Sequence, residues 1–259
     1  MKTIEIYSYQ ELHDFVSSIK SELSLIWRGH ANSIWKIDSS LKRHFDRYQI
    51  QGKQQRESLE KKAIDYYVRQ TQTAKKSKDF FTAMVELQHY GCPSRLIDFT
   101  SSEYVALYFC LRDRYENRAL YAFDRKYLML NITGSFDDVH DEDDDTPDEP
   151  FVCMPEKYYR IINRETDQYS PLPIRFIDQK NRRLTAQKSF FVYESDIVNG
   201  SDSYLEQIPD TNAFKILFHN SLDDEINKKL LEMHIDGMHL FEGIIGIAES
   251  SRTMLTINE

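Results

Sequence analysis

Two spacings of apolar residues organise this chain. At helical spacing, Leu12, Phe15, Val16 and Ile19 share one face, which predicts a helix over residues 8–22 with Ser8 as its cap. Leu59, Ala63, Tyr66, Tyr67 and Gln70 form one stripe of a charged helix over 53–75. Phe80, Phe81, Met84, Val85 and Leu87 predict a helix over 79–90, and Tyr104, Val105, Leu107, Tyr108, Phe109 and Leu111 another over 101–115. Short apolar runs predict strands at 24–28, 118–124, 174–177, 189–193 and 215–219, and a helix at 222–234 carries Asp223 and Asp224 at its positive N-terminus. Helices come first, strands come late, and regular β-α-β units are few. The expected fold class is therefore α+β, with N-terminal helices packed on a mixed, mostly antiparallel sheet in one domain over residues 1–259.

Between the two central helical patterns lies a polar segment, Gln88 to Thr100. Gly91 and Pro93 stop the first helix, since proline lacks an N–H and disfavours helix in the residue before it. Thr100, Ser101 or Ser102 can cap the second. The segment reads as a short loop anchored by two buried helices, a place where binding and catalytic groups gather.

The net charge of −9 comes from one stretch: residues 137–149 hold nine acidic and no basic residues, and the remainder balances at 33 of each sign. A solvated, mobile loop at about 136–150 is the expectation. An inhibitory arm mimicking phosphate over a basic cleft, and a divalent-cation site, are the sharper alternatives, although the calcium-loop spacing is missing. No apolar run approaches 18 residues, and the N-terminus has no signal-peptide stretch. The three cysteines have no metal-like spacing. A cytoplasmic protein with no bound metal and no membrane partner is expected. Walker and Gly-x-Gly-x-x-Gly loops are absent.

Arg28, at a strand end before Gly29, can set a planar, always-charged fork against a phosphate, with Gly29 letting a ligand approach the backbone; a structural pairing with Asp98 is the alternative. Arg95 and Asp98 can contact a ligand or pair with each other. His89 can serve as acid or base near neutral pH, or close a helix. Gln88 and Gln187 can read an amide or a ribose, or satisfy buried backbone. Glu86 and Glu194 are expected to be solvated. Cys92 has a candidate base in His89, three residues away.

The run Trp27-Arg28-Gly29, continued as Arg-Gly-x5-Trp-x5-Leu-x-Arg through Trp35, Leu41 and Arg43, resembles the first signature of the FRG domain family. Gln88-His89-Tyr90-Gly91-Cys92-Pro93-Ser94-Arg95-Leu96-Ile97-Asp98-Phe99-Thr100, followed by Ala106-Leu107-Tyr108-Phe109, resembles its second. Arg183-x3-Gln187-x2-Phe190 resembles a later block. Trp27, Phe99 and Lys188 depart from the usual Phe, Trp and Gly. The arrangement is also distantly similar to the ADP-ribosyltransferase core. That likeness implies NAD as cofactor, Arg28 on its pyrophosphate, and Thr100 or Ser101 at the nicotinamide ribose. Gln187 would stand where a Glu or Gln stabilises the charged centre.

The residue readings and the resemblance together give Arg28, His89, Thr100 and Gln187 as catalytic candidates, and Gly29, Gln88, Arg95, Asp98, Ser101 and Arg183 as ligand contacts. The function it implies is a nucleotide-handling toxin or anti-phage defence effector acting as ADP-ribosyltransferase or NAD glycohydrolase. A non-enzymatic module sensing a nucleotide or a protein partner is the alternative. Nucleic-acid processing ranks below both: the body is near neutral, with local basic patches at Lys42, Arg43, Arg47, Lys75, Lys76, Lys78, Arg182 and Arg183.

Overall fold

The computed structural model describes residues 1–71, 79–128, 172–174 and 182–255. The acidic run at 136–150, the expected strand residues 175–177 and the basic residues Lys75, Lys76 and Lys78 lie outside the described residues. The fold is α+β. Seven described strands form one sheet: β1 (Lys2–Ile6), β2 (Leu25–His30), β3 (Leu96–Thr100), β4 (Asn117–Asp124), β5 (Leu172–Ile174), β6 (Ser189–Tyr193) and β7 (Ala213–His219). Their order is β1-β7-β4-β2-β3-β6-β5. Only β1 with β7 is parallel; the other described pairings are antiparallel.

One face of the sheet is covered by α1 (Tyr9–Lys20) and α5 (Glu103–Cys110), joined by α8 (Asp223–Glu232) and α9 (Gly237–Leu240). Leu12, Val16 and Ile19 of α1 meet Trp27, Leu120, Ile216 and Ile226 in that core, the helical stripe against the pleated face. Ser8 caps α1 and Ser102 caps α5 through their side chains. On the opposite face, Ile26, Ile97, Phe99, Tyr121, Phe123, Phe190 and Val192 pack with Ile37 and with Leu205 of the short α7 (Asp202–Glu206). The helices α2 (Ser40–Arg47), α3 (Lys53–Thr71) and α4 (Asp79–His89) gather beside β3 and β6. Leu41 and Phe45 of α2 bury there against Ile197 and Leu59. The chain continues through α6 (Arg182–Ala186) into β6, and ends in α10 (Gly243–Met254).

Several expectations change. Residues 96–100 are strand β3 in the middle of the sheet, paired residue by residue with β6, where a loop was expected. Their side chains alternate, Ile97 and Phe99 into one face, but the short run Leu-Ile-Asp-Phe-Thr was masked by its polar neighbours. α5 ends at Cys110, five residues before the expected end of the helix at 115. β1, α2, α9 and α10 carry too little apolar periodicity to have been foreseen. Glu194, expected to be solvated, is fully buried.

Gly29 has a packing role. A Cβ built there would stand 1.9 Å from the Ala106 carbonyl oxygen and 2.9 Å from the Cys110 nitrogen. It is helix α5, not a ligand, that comes so close to the backbone of β2. Since both neighbours are backbone, neither can rotate away. Gly29→Ala should therefore destabilise by at least about 1–3 kcal/mol, read as a lowered urea midpoint at unchanged m-value. A variant as stable as wild type would disprove the tight contact.

Candidate functional site

The sheet is almost cut between β2 and β3. The two strands share one register pair, Trp27 with Thr100. β2 runs on beside β4 from Leu25↔Asp124 to His30↔Ala119, while β3 stays with β6. Past Trp27 the two halves part and leave a fork, and Arg28 is the first side chain inside it. Its Nη1 donates to the Asp98 carbonyl oxygen, supplying the donor that a continued ladder would have given. Its Nε donates to His30 Nε2 at 2.8 Å, and its guanidinium lies 5.9 Å from the Phe99 ring centre.

The fork is the floor of a cavity of about 540 Å³ whose walls include Trp27, Arg28, Gly29, Trp35, Arg43, Asp98, Phe99, Thr100, Phe109, Arg183 and Gln187. All three sequence blocks therefore converge here. The five positions Arg28, Gly29, Trp35, Leu41 and Arg43 of the first block divide cleanly: all but Leu41 face this cavity.

Charge in the cavity is unbalanced. Arg28, Lys36, Arg43, Arg112 and Arg183 line it against Asp98 and Asp113. Arg112 is paired with Glu249, and Asp113 with Arg252 at 2.5 Å. Asp98 Oδ1 accepts from Gln88 Nε2 at 2.7 Å. Among the described residues, no carboxylate lies within ion-pair distance of Arg28, Lys36, Arg43 or Arg183. Arg28 Nη2 makes no hydrogen bond among the described residues. Burial pulls the Arg28 guanidinium down to about 10 against the opposing pull of Asp98, so it remains charged at neutral pH. Arg183 lies 5.0 Å from the Phe241 ring centre and is lowered too, by burial first. Burial, with Arg28 beside it, pushes His30 down to about 2. His30 is thus neutral, and because Nε2 accepts from Arg28, the proton sits on Nδ1. Nδ1 faces the Trp35 carbonyl without reaching hydrogen-bond geometry.

Other expected site residues do different work. Thr100 lines the cavity, but its hydroxyl donates to the Gln187 carbonyl at 2.7 Å and accepts from the Ser102 N–H at 3.0 Å. Gln187 lines it too, with its Nε2 donating to the Leu240 carbonyl at 3.0 Å. Ser101 is exposed and does not line the cavity; its N–H donates to the Lys188 carbonyl at 3.0 Å. Lys188 itself adopts a φ of 46°, the left-handed conformation that glycine would take without strain. Gln88 lies in an adjoining cavity of about 240 Å³ that shares Arg28, Arg43 and Asp98. His89 closes α4 and lines neither cavity. Burial raises the Cys92 thiol, which opposes a thiolate nucleophile.

Arg95 points away from the cavity. It is buried, with Nε 2.6 Å and Nη2 2.5 Å from Glu60 Oε2. It does not pair with Asp98. Glu194 accepts from the Ser39 N–H at 3.0 Å, the Ser39 hydroxyl at 2.5 Å, and the Ser201 N–H and hydroxyl at 3.1 Å each. It thereby ties the start of α2 to the chain beyond β6. Sequence reasoning gave no role to His30, Lys36 or Arg112. For His30 a signal existed, since it stands two residues beyond Arg28 in a strand and so faces the same side.

Residues 23–119 match the family model of the FRG domain. The chain therefore carries an FRG domain there. No curated protein matches the chain, and no solved structure does. The match ends before Arg183 and Gln187, so the far wall of the cavity comes from chain beyond it.

Two expected outcomes test these structural roles. Arg95→Ala leaves the Glu60 carboxylate buried without its counter-charge and should cost about 3–5 kcal/mol in chemical denaturation; a loss below about 1 kcal/mol would contradict a buried pair. Glu194 is raised to about 6 from 4.5, burial outweighing its serine donors. A raised folded value means the fold holds the proton more tightly, so this contribution is complete below about pH 4.5 and disappears as pH rises through about 6. Relative to Glu194→Gln, which cannot titrate, wild type should therefore lose about 2 kcal/mol across that window. Parallel stability–pH curves for the two proteins would refute it.

Proposed function

We propose that the cavity at the β2–β3 fork binds a nucleotide-type ligand, with NAD the leading candidate. One observation carries this reading: Arg28, Arg43 and Arg183, none with a carboxylate partner among the described residues, face one cavity beside the aromatic surfaces of Trp35, Phe99 and Phe109. Guanidinium forks suit phosphate oxygens, and aromatic faces suit a base. The volume falls in the range of small-molecule sites. On this reading Arg28 and Arg183 hold the diphosphate, and His30 fixes the orientation of Arg28.

The chemistry that follows binding would be ADP-ribosyl transfer or NAD glycohydrolysis, in a toxin or anti-phage defence effector resembling the ADP-ribosyltransferases. Asp98 is the carboxylate in the cavity with no ion pair among the described residues, and it supports that reading. Gln187 supports the second reading, a non-enzymatic sensing module. It is neutral, and its amide is already engaged by Leu240.

Calorimetric titration with NAD, run beside an assay of NAD consumption, separates the readings. Wild type should bind, and Arg28→Ala should weaken binding by about 10- to 100-fold, the worth of a charge-assisted contact. Arg183→Ala should weaken it by about ten-fold. Melting temperatures should stay within a few degrees, because neither guanidinium leaves a carboxylate stranded. Undiminished binding by a folded Arg28→Ala would remove this residue from the site, and binding without consumption would favour the sensing module.

A further inference from the structure

The last helix of the chain is inside out. In α10 (Gly243–Met254) the positions turned toward the protein are Gly246, Glu249, Ser250 and Thr253, all small or polar. A Cβ on Gly246 would meet the Phe241 carbonyl oxygen at 2.6 Å, and the Met238 N–H donates to Ser250 Oγ at 2.9 Å. Two ion pairs of opposite sense tie the helix to the chain after α5, Glu249 to Arg112 and Arg252 to Asp113. Arg112 and Asp113 line the first cavity, so α10 steadies part of its wall.

The apolar residues point to solvent. Ile244, Ile247, Ala248, Ser251 and Leu255 follow one another at i, i+3, i+4, i+7 and i+11, share one face, and are all exposed. Ile244 and Leu255 are 81% and 85% exposed, and Ile245, Ile247 and Met254 are 54%, 54% and 76% exposed. Scaled by residue size, those five leave roughly 700 Å² open, where the largest apolar patch of a monomer is about 300–600 Å². An amphipathic helix on an isolated domain turns the other way, with its apolar side to the core.

We propose that this face is the two-fold interface of a homodimer, in which α10 of two copies packs antiparallel about an axis between Ala248 and Ser251. Size is the first ground: a standard interface takes about 800 Å² from each partner, and the helix face supplies most of it. Pattern is the second. A two-fold contact needs a surface complementary to itself. About that axis Ile244 meets Leu255 of the partner subunit, Ile247 meets the partner subunit's Met254, and Ala248 meets the partner's Ser251. Large residues meet large ones at both ends, and the small pair in the middle lets the helix axes approach to about 8 Å. The antiparallel sense also sets opposite dipole ends together. Charge is the third ground. Arg252 is the one cation of α10 and already sits on Asp113, and the chain is −9 overall, so an anionic membrane surface is a poor occupant. The proposal is independent of what the cavities bind.

Sedimentation of the whole protein, from micromolar to sub-millimolar concentration, tests the interface. The expected result is a monomer–dimer equilibrium. Ile247→Glu, at a position exposed in the single chain, should leave monomer alone with an unchanged circular dichroism spectrum, because a dimer would bury that carboxylate twice. Wild type that stays monomeric throughout overturns the proposal; the face then belongs to another part of this chain or to a different protein. A dimer that persists in Ile247→Glu also overturns it, since another surface holds the copies together. Disulfide trapping tests the antiparallel sense. Ile244→Cys and Leu255→Cys chains, mixed and oxidised with glutathione disulfide, should link to each other, and neither should link to itself. Like positions stand about 16 Å apart along the helix, beyond the ~7 Å reach of a disulfide. Ile244→Cys joined to itself overturns the antiparallel arrangement. Wild type oxidised in parallel corrects for Cys92, Cys110 and Cys153.

Discussion

Everything at the cavity follows from the single register pair between β2 and β3. A sheet that kept pairing past Trp27 and Thr100 would satisfy its own backbone and leave no room between its halves. Here each half finds its hydrogen bonds elsewhere: β2 with β4 and β3 with β6. The fork that results opens within the sheet, so its floor is rigid and its walls come from chain segments far apart in sequence. Thr100 holds the closed end, its hydroxyl bridging the Gln187 carbonyl and the Ser102 N–H. That one hydroxyl couples β3, the turn into β6 and the start of α5. The residue most readily mistaken for a reactive hydroxyl is thus fully engaged in keeping the fork's geometry.

The arginines of this protein sort by what they meet. Arg56, Arg95 and Arg118 are buried, and each has a carboxylate: Asp46, Glu60 and Asp223. Arg118 also donates to the Ala31, Cys110 and Asp113 carbonyls, welding the end of α5 to the chain after β2. Removing such a group strands a charge and would be felt as instability. Arg28, Arg43 and Arg183 differ, since each faces the cavity with no carboxylate on it among the described residues. Arg28 is where the two behaviours meet. It anchors one backbone carbonyl and one imidazole, yet its Nη2 makes no hydrogen bond among the described residues.

The sequence carried the elements with strong periodicity and failed where apolar residues were few or interrupted. α1, β4, β6 and α8 were legible because an unbroken stripe faces a core. β3 was not, because Asp98 and Thr100 interrupt a five-residue strand and the preceding Gly and Pro suggest a longer loop. The site was legible as a set of motifs but not as a division of labour. In sequence Arg95 can contact a ligand or pair with Asp98; what decides its role is Glu60, thirty-five positions before it and on another helix. Gly29 shows the same limit. A glycine after an arginine reads as room for a ligand, and only the approach of α5 reveals that the room is taken by the Ala106 carbonyl.

The depressed affinity of Arg28 for its proton has a thermodynamic consequence for the proposed ligand. A guanidinium held at about 10 is less comfortable in the fold than in water, so the free protein carries a cost at neutral pH. The nearest carboxylate, Asp98, offsets it only in part, being exposed and already engaged by Gln88. An anion in the fork would relieve that cost and would do so for Arg183 as well, whose charge is also disfavoured by burial. Binding and stability are then linked in one direction: a ligand that engages only the folded state raises the melting temperature in proportion to the logarithm of its concentration above Kd. Salt should weaken this linkage less than it weakens surface pairs, because ions screen buried groups poorly. On the proposed reading, these cations would exchange water for the phosphate oxygens of the ligand. The burial cost falls on Arg28, the residue whose side chain donates to the Asp98 carbonyl where the two strands part.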